Sequence, residues 1–445
     1  MNVRERISSR LGFLMLAAGC AVGLGNVWRF PFIVGQNGGA AFVILYLVFL
    51  ALFGLPLLTA ELAEGRGAQK GLANAMRILA PSRWANGWGK TGTVIFAGNF
   101  LLMIYYTDVA GWLLRYTAGY AVPAAMPAGE NVGDVFRAVA GDKDLATLYM
   151  AMAAAIAMFV CMGGVAKSVE RITKWMMISL LVLLAVLAAK AVTLPGAIGG
   201  IRFYLVPDFG RFMEHPWKAV FEALGQAFFT LSLGVGCMTI FGSYINRVHS
   251  LLKESFYIIA IDTFVALMSG LIIFPACAAY KVDVTGGPGL IFMALPSVFA
   301  QMAAGRMWGF LFFMFLTFAA FTTVITVFEC LIGGLIDMTG RSRRMVSVWV
   351  GVGVCLAALP CVLLDGVLDW EDFIFSNLWL PLGALASAVF CTRSFGWGWE
   401  GFRREASAGR GWAMPDWMNP VMRHILPAGI LLVLAVGLYD KFAAK

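Results

Sequence analysis

Five ionisable side chains fall inside long apolar stretches: Arg29, Glu61, Asp108, Asp262 and Glu329. At the centre of a bilayer each costs about 2.5–3.5 kcal/mol unless it is paired or hydrated. Glu61 and Asp108 read as locks between helices. Arg29, four residues beyond Gly25, and Asp262 read as functional groups. Two glycine pairs accompany them, in Ala21-Val22-Gly23-Leu24-Gly25-Asn26 and in Thr230-Leu231-Ser232-Leu233-Gly234-Val235-Gly236. Glycine and asparagine are poor helix formers, and unwound backbone inside a membrane is tolerated only where it packs in protein or lines a wet cavity. The plainer meaning of Gly-x-Gly is close helix packing; the flanking amide and hydroxyls favour a break. Breaks at matching places in two halves of a chain point to a small-solute or ion site at mid-membrane.

The elements that must carry these residues follow from composition. The chain has 445 residues, 60% of them hydrophobic and 13% charged, with a formal net charge of +8. A soluble domain carries about 25% charged residues, and residues 42–58, 176–189, 311–325 and 430–438 hold almost no charge. These features exclude a soluble enzyme and a nucleic-acid binder. The expectation is an all-α polytopic membrane protein with about eleven transmembrane helices, near 11–35, 40–63, 92–121, 147–163, 172–194, 217–245, 255–280, 307–336, 345–364, 371–392 and 421–439. The segment 281–306, with Pro288 and Pro296, is too short to span and reads as a re-entrant or capping hairpin. Because the first and sixth spans carry the breaks, residues 1–445 read as one transporter domain built as a 5+5 inverted repeat. The first repeat covers about 11–195 and the second about 217–392, with one extra helix at about 421–439.

Basic clusters such as Arg4, Arg6 and Arg10, Arg341, Arg343 and Arg344, and Arg403, Arg404 and Arg410 fall between alternate spans. Acidic clusters around Asp134 and Asp369 fall on the other side. The positive-inside bias then puts the N-terminus in the cytoplasm and the C-terminus outside, in the cell's inner (plasma) membrane. No cleavable signal is evident. The eight cysteines lie almost wholly in apolar runs without a CxxC pair and read as buried hydrophobes, and the three histidines are far apart in sequence.

The run Gly19-Cys20-Ala21-Val22-Gly23-Leu24-Gly25-Asn26-Val27-Trp28-Arg29-Phe30-Pro31, followed by Asn37-Gly38-Gly39-Ala40-Ala41-Phe42, closely resembles the opening signature of the neurotransmitter:sodium symporter family, in its bacterial leucine-transporter-like form. Gln226 to Gly234 resembles that family's sixth helix, Leu368 to Phe373 the start of its tenth, and Val421-Met422-Arg423 with Pro427-Ala428 its eleventh. The likeness runs from about Arg4 to the end, with eleven spans where most members have twelve.

That resemblance implies an alternating-access, sodium-coupled amino acid symporter with unwound helices 1 and 6 and two Na+ sites. The first would use Ala21, Asn26, Thr230 and Asp262, the second Gly19, Val22, Ala319, Thr322 and Thr323. Without the resemblance, Thr322 and Thr323 read as back-bonded to their own helix. The implied substrate pocket comprises Ala21, Leu24, Gly25, Leu102, Tyr106, Val109, Phe229, Thr230, Ser232, Val235, Thr323, Thr326 and Val327. Leu102, Tyr106 and Val109 share a helix face. Gly23 stands where the family's monoamine carriers have aspartate, which favours amino acids over amines. An apolar lining makes a charged substrate side chain costly, so the expected cargo is a neutral hydrophobic L-amino acid, aliphatic or aromatic.

The family's outer gate corresponds to Arg29 with Asp372, and its inner gate to Arg4 with Asp337 near Ser243 and Tyr244. Chloride-dependent relatives have serine at Ala266 and asparagine at Asp262, so the fixed Asp262 carboxylate implies chloride-independent transport. The expected partners are the substrate, sodium and the lipid bilayer, with no nucleic acid and no obligate protein partner. The alternatives are a proton-coupled amino acid carrier of the same architecture, a channel, or a transporter-like sensor. A channel needs a continuous polar pore, and no set of catalytic groups suggests an enzyme.

Overall fold

The computed structural model describes residues 5–122, 131–282 and 290–442. Among the described residues nine helices are long and apolar enough to cross a bilayer: Ala40–Ala68, Ala85–Ala121, Lys143–Met162, Val165–Val192, Leu251–Tyr280, Gly305–Thr339, Arg343–Leu363, Val367–Thr392 and Met418–Tyr439. The first crossing is the pair Arg10–Ala21 and Gly25–Gln36, bent by 56° at the break. The sixth is the pair Pro216–Phe229 and Cys237–Ser243, with residues 230–236 non-helical between them. Together they give the expected eleven spans, all helical, with the interruptions in the first and the sixth.

Both breaks are held open by polar side chains from neighbouring spans. The first helix starts where Ser9 accepts the Gly12 amide and ends at Val22, whose ψ of 106° leaves the helical region. The amides freed beyond it must find partners in a dry interior. Gly23 N–H donates to Asn26 Oδ1 at 3.2 Å, and Leu24 N–H to the Tyr106 hydroxyl at 3.2 Å. In the sixth span, Ser232 (φ 51°), Gly234 (φ 92°) and Gly236 (φ 76°) turn the chain left-handed. This backbone suits glycine and strains other residues. Gly234 N–H donates to Glu61 Oε1 at 2.5 Å, while the Val235 carbonyl accepts from Asn99 Nδ2 at 2.7 Å. The expected lock at Glu61 therefore pins the second span to the break in the sixth.

Asp108 behaves otherwise. It is buried, its Oδ1 has no hydrogen-bond partner, and among the described residues no ion pair reaches it. The lock expected there is not made: Asp108 tucks beside Trp112 on its own helix, one turn along.

The segment 281–306, expected to form a re-entrant or capping hairpin, is described only in part. Its first part, 283–289, lies outside the described residues; beyond it runs the short apolar helix Ile291–Gln301. The Phe292 ring packs within 5.1–6.3 Å of Trp28, Trp112, Tyr116, Phe136 and Phe313. One aromatic plug thereby ties this helix to the first, third and eighth spans.

Candidate functional site

At mid-membrane, where the two breaks face each other, lies a cavity of about 30 Å³ lined by Cys20, Ala21, Gly23, Leu24, Gly25, Leu102, Tyr106, Phe229, Ser232, Thr323, Phe375 and Leu380. That volume holds only a few water molecules, so a larger occupant requires the lining side chains to move. Of the residues expected in the pocket, Ala21, Leu24, Gly25, Leu102, Tyr106, Phe229, Ser232 and Thr323 line the cavity. Val109, Thr230, Val235, Thr326 and Val327 are buried but do not line it. Thr326 spends its hydroxyl on the Thr322 and Thr323 carbonyls of its own helix, at 2.8 and 2.9 Å. Phe375 and Leu380 of the tenth span, and Cys20, were not expected. Nothing in the sequence around Phe375 marks it, because its place depends on the packing of the tenth span over the cavity.

The polar end of the cavity is set by backbone. A Cβ at Gly23 would lie 2.7 Å from Thr323 Oγ1 and 2.8 Å from the Tyr106 hydroxyl, closer than packed atoms allow. Only glycine leaves this corner free. The Leu24 amide and the Tyr106 hydroxyl meet there, a hydrogen-bonding pair able to hold an anionic carboxylate. The opposite end is apolar.

Two groups of oxygens flank the cavity. In one, Asn26 Nδ2 donates to Thr230 Oγ1 (3.2 Å), to the Asp262 carbonyl (3.1 Å) and to Asp262 Oδ1 (2.8 Å), and Thr230 Oγ1 donates to Asp262 Oδ2 at 2.9 Å. All three residues are buried. Turning the Asn26 amide about its last torsion brings Oδ1 toward the same oxygens. This donor set, one carboxylate with neutral oxygens, suits a hard cation. Tyr46 and Gln226 stand alongside: Gln226 Nε2 donates to the Gly25 carbonyl at 3.1 Å, the Tyr46 hydroxyl lies by Thr230, and among the described residues Gln226 Oε1 makes no hydrogen bond. Ala266 is buried and apolar.

In the second group, Thr323 Oγ1 lies 3.2 Å from the Val22 carbonyl, 3.4 Å from that of Ala319 and 3.5 Å from that of Gly19. Thr322 Oγ1 lies 2.9 Å from the Ala319 carbonyl and 3.5 Å from that of Val22. Back-bonding to the eighth span therefore accounts for only part of these hydroxyls' contacts; the rest reach across to the broken first span. Five neutral oxygens without a carboxylate suit a monovalent hard cation. Among the described residues no cluster of three or more His, Cys, Asp or Glu could hold a metal ion.

The Arg29–Asp372 gate differs from expectation. Arg29 and Asp372 make no ion pair among the described residues. The Arg29 guanidinium instead sits 4.3 Å from the centre of the Phe229 ring, within electrostatic range of Asp372, whose Oδ1 accepts from Ser376 at 2.9 Å. The aromatic face competes for the guanidinium, so the charges attract without contact. On the inner side Arg4 lies outside the described residues. Asp337 accepts from Lys70 Nζ at 3.1 Å and from the Gly71 amide at 2.8 Å.

The sequence reading did not single out a larger inner network. Arg343 donates to Glu329 Oε2 and Oε1 at 2.7 and 3.1 Å and to Glu5 at 3.0 Å, and the Tyr244 hydroxyl donates to Glu329 at 2.8 Å. Glu170 accepts from the Ser8 amide, the Ser8 hydroxyl and the Ser9 hydroxyl at 2.8, 2.7 and 3.0 Å. The N-terminal segment is thereby strapped across the adjoining ends of the fifth and ninth spans. A polar residue in an apolar run flagged Glu329, but no local signal names a partner fourteen residues away.

Residues 4–123 and 139–443 match the sodium:neurotransmitter symporter family. An uncharacterised sodium-dependent transporter of Bacillus subtilis, YhdH, is 33% identical over 397 residues, covering 86% of each chain. One from Haemophilus influenzae is 31% identical over 410 residues, covering 87% of this chain and 88% of that one. The serotonin transporter of Drosophila melanogaster is 27% identical over 87% of this chain and 68% of its own. The crystal structure of MhsT in complex with L-phenylalanine superposes with a TM-score of 0.86 at 33% identity, over 98% of this chain and all of that one.

Proposed function

The chain belongs to the sodium:neurotransmitter symporter family, and from that premise we propose that it imports neutral hydrophobic L-amino acids, aliphatic or aromatic, by alternating access coupled to sodium and independent of chloride. The observation that carries the proposal is the convergence of the Thr322 and Thr323 hydroxyls with the Gly19, Val22 and Ala319 carbonyls at the broken first span, beside a cavity whose polar corner is kept clear by Gly23. Sodium bound there holds the two halves of the break against the eighth span. A second sodium is bound by Asn26, Thr230 and Asp262 with the Ala21 carbonyl, and the substrate carboxylate completes its shell. Each ligand then strengthens the other reciprocally.

Leu24, Gly25 and Tyr106 receive the carboxylate, and carbonyls near Ala21, Phe229 and Thr230 receive the ammonium. Leu102, Phe229, Phe375 and Leu380 surround the side chain. With no ionised group in that lining, a charged side chain loses its water without compensation. The likeness to MhsT, which was crystallised with L-phenylalanine, supports an aromatic or aliphatic cargo. The Asp262 carboxylate takes the place of chloride beside Tyr46 and Gln226.

The N-terminus faces the cytoplasm and the C-terminus the outside of the inner membrane, in accord with the basic loops. The test is uptake of radiolabelled phenylalanine and leucine into proteoliposomes. An inward sodium gradient drives accumulation, choline in place of sodium abolishes it, and gluconate in place of chloride leaves it unchanged. Glutamate and lysine fail to compete. Accumulation in choline driven by a proton gradient would overturn the reading in favour of a proton-coupled carrier.

A further inference from the structure

Two buried carboxyls take no part in the ion and substrate sites. Glu61 and Glu64 lie one turn apart on the same face of the second span, and neither is exposed to solvent. Glu61 Oε1 accepts the Gly234 amide at 2.5 Å, with the Gly236 and Met238 amides beside the carboxyl, while among the described residues its Oε2 makes no hydrogen bond. The Glu64 oxygens meet only neutral groups, the Thr239 hydroxyl at a long 3.4 Å and the Cys391 thiol, a weak donor, at 3.5 Å, with Ser387 beside them.

The titratable groups that face the pair are thiols: Cys20 from the first span, Cys237 from the sixth and Cys391 from the tenth. Among the described residues no Lys, Arg or His pairs with either carboxyl. Arg66, two residues beyond Glu64, is committed to Glu405 at 2.8 Å and to the His249 carbonyl at 2.7 Å.

A carboxylate in a dry interior without a cation costs several kcal/mol, and a second one a turn away adds repulsion. One added proton removes both penalties. It neutralises Glu64, whose contacts are the weaker, and gives it an O–H. Glu61 Oε2 is the unpartnered acceptor that such a donor needs. Glu61 keeps its charge, supported by the Gly234 amide. We propose that Glu61 and Glu64 hold one proton between them in this closed conformation and form a proton-binding site between the second, sixth and tenth spans, separate from the sodium and substrate sites. The proton is carried on a Glu64 carboxyl oxygen, donated toward Glu61 Oε2, and passes to water when the interface of these spans is hydrated. Deprotonation by alkaline pH restores both charges and favours conformations in which that interface is open.

The test is infrared spectroscopy of the full-length protein in lipid, in H2O and D2O, with melting midpoints measured across pH. At pH 7 the protein shows a carboxylic-acid C=O band. That band is lost in Glu64→Gln and retained in Asp108→Asn. A group protonated in the folded state stabilises it at low pH and ceases to do so as pH rises. The wild-type midpoint therefore falls from neutral to alkaline pH, and Glu64→Gln flattens the fall. If Glu64→Gln does not fold, Glu61→Gln shifts the band by changing its acceptor. The proposal is overturned if the wild type shows no carboxylic-acid band, or if the band is the same in Glu64→Gln, or, where that variant does not fold, in Glu61→Gln.

Discussion

Asn26 and Asp262 are joined across the first and seventh spans, with Asn26 Nδ2 2.8 Å from Asp262 Oδ1 and 3.1 Å from the Asp262 carbonyl. The contact places a fixed carboxylate at the break in the first span, in direct contact with Thr230. A hydrogen bond to a charged group contributes about 1.5–3 kcal/mol. Asp262→Asn is therefore expected to weaken sodium-dependent phenylalanine binding about 10- to 100-fold in sodium concentration, since 1.4 kcal/mol is about tenfold. A sodium titration by scintillation proximity measures this. A titration superimposable on the wild type would remove Asp262 from the cation site.

Gly23→Ala tests the polar corner of the cavity. The added methyl would lie 2.7 Å from Thr323 Oγ1 and 2.8 Å from the Tyr106 hydroxyl, in the space a substrate carboxylate needs. Overpacking of this kind costs about 1–3 kcal/mol; without substrate Thr323 and Tyr106 can move aside into the cavity, whereas a bound carboxylate removes that room. The expectation is a loss of phenylalanine affinity of about tenfold or more with an unchanged gel-filtration profile. Wild-type affinity in this variant means that the carboxylate binds elsewhere.

Thr323→Val keeps the shape of a buried side chain and removes its hydroxyl. That oxygen bridges the Gly19, Val22 and Ala319 carbonyls at 3.5, 3.2 and 3.4 Å. Loss of a neutral ligand is expected to shift half-saturating sodium upward about tenfold, from a change of about 1.4 kcal/mol, while the low-sodium melting midpoint changes little. If the hydroxyl serves only its own helix, sodium saturation stays where it is.

The spans were legible because they rest on local chemistry. Long apolar runs announce themselves wherever the rest of the chain goes, whereas Gly23-Leu24-Gly25 and Gly234-Val235-Gly236 alone mean close packing as readily as a break, and the polar residues beside them and the family resemblance decided for the break. The site was legible at Asn26, which belongs to a break, while Leu102 and Tyr106 were assigned through the family resemblance, since their shared helix face alone means packing. It was not legible where tertiary packing decides. Phe375 reaches the cavity through the packing of the tenth span, and Thr326 turns its hydroxyl back on its own helix. The Arg29–Asp372 pair fails for the same reason: Phe229 offers its ring to the guanidinium at 4.3 Å, and residue types alone cannot rank an aromatic face against a carboxylate. Asp108 was misread because a charge in an apolar run says only that something must compensate it, not whether a second helix does.

Among the described residues, the Arg343–Glu329 pair helps close the end of the bundle where the N-terminal strap lies. Glu329 is fully buried, with 16% of the Arg343 side chain exposed, and the two share hydrogen bonds of 2.7 and 3.1 Å. Tyr244 and Glu5 extend the network to the inner half of the sixth span and to the N-terminal strap. Removing Glu329 leaves Arg343, among the described residues, with only the half-exposed Glu5 as an ion-pair partner, at a cost below the ~3–5 kcal/mol of a wholly unpaired buried charge. The closed state bears that cost, because opening the inner side lets water reach Arg343. Glu329→Gln is thus expected to shift the protein toward an inward-open state. It should lower the melting midpoint and raise alkylation of Cys161, which is fully buried, with its carbonyl accepting from Arg343 at 3.3 Å. Arg343→Met in the same background should recover part of the midpoint, because the poorly paired charge is then gone. Unchanged midpoint and alkylation in Glu329→Gln would show that closure on this side is carried by the strap at Glu170 and the Lys70–Asp337 pair.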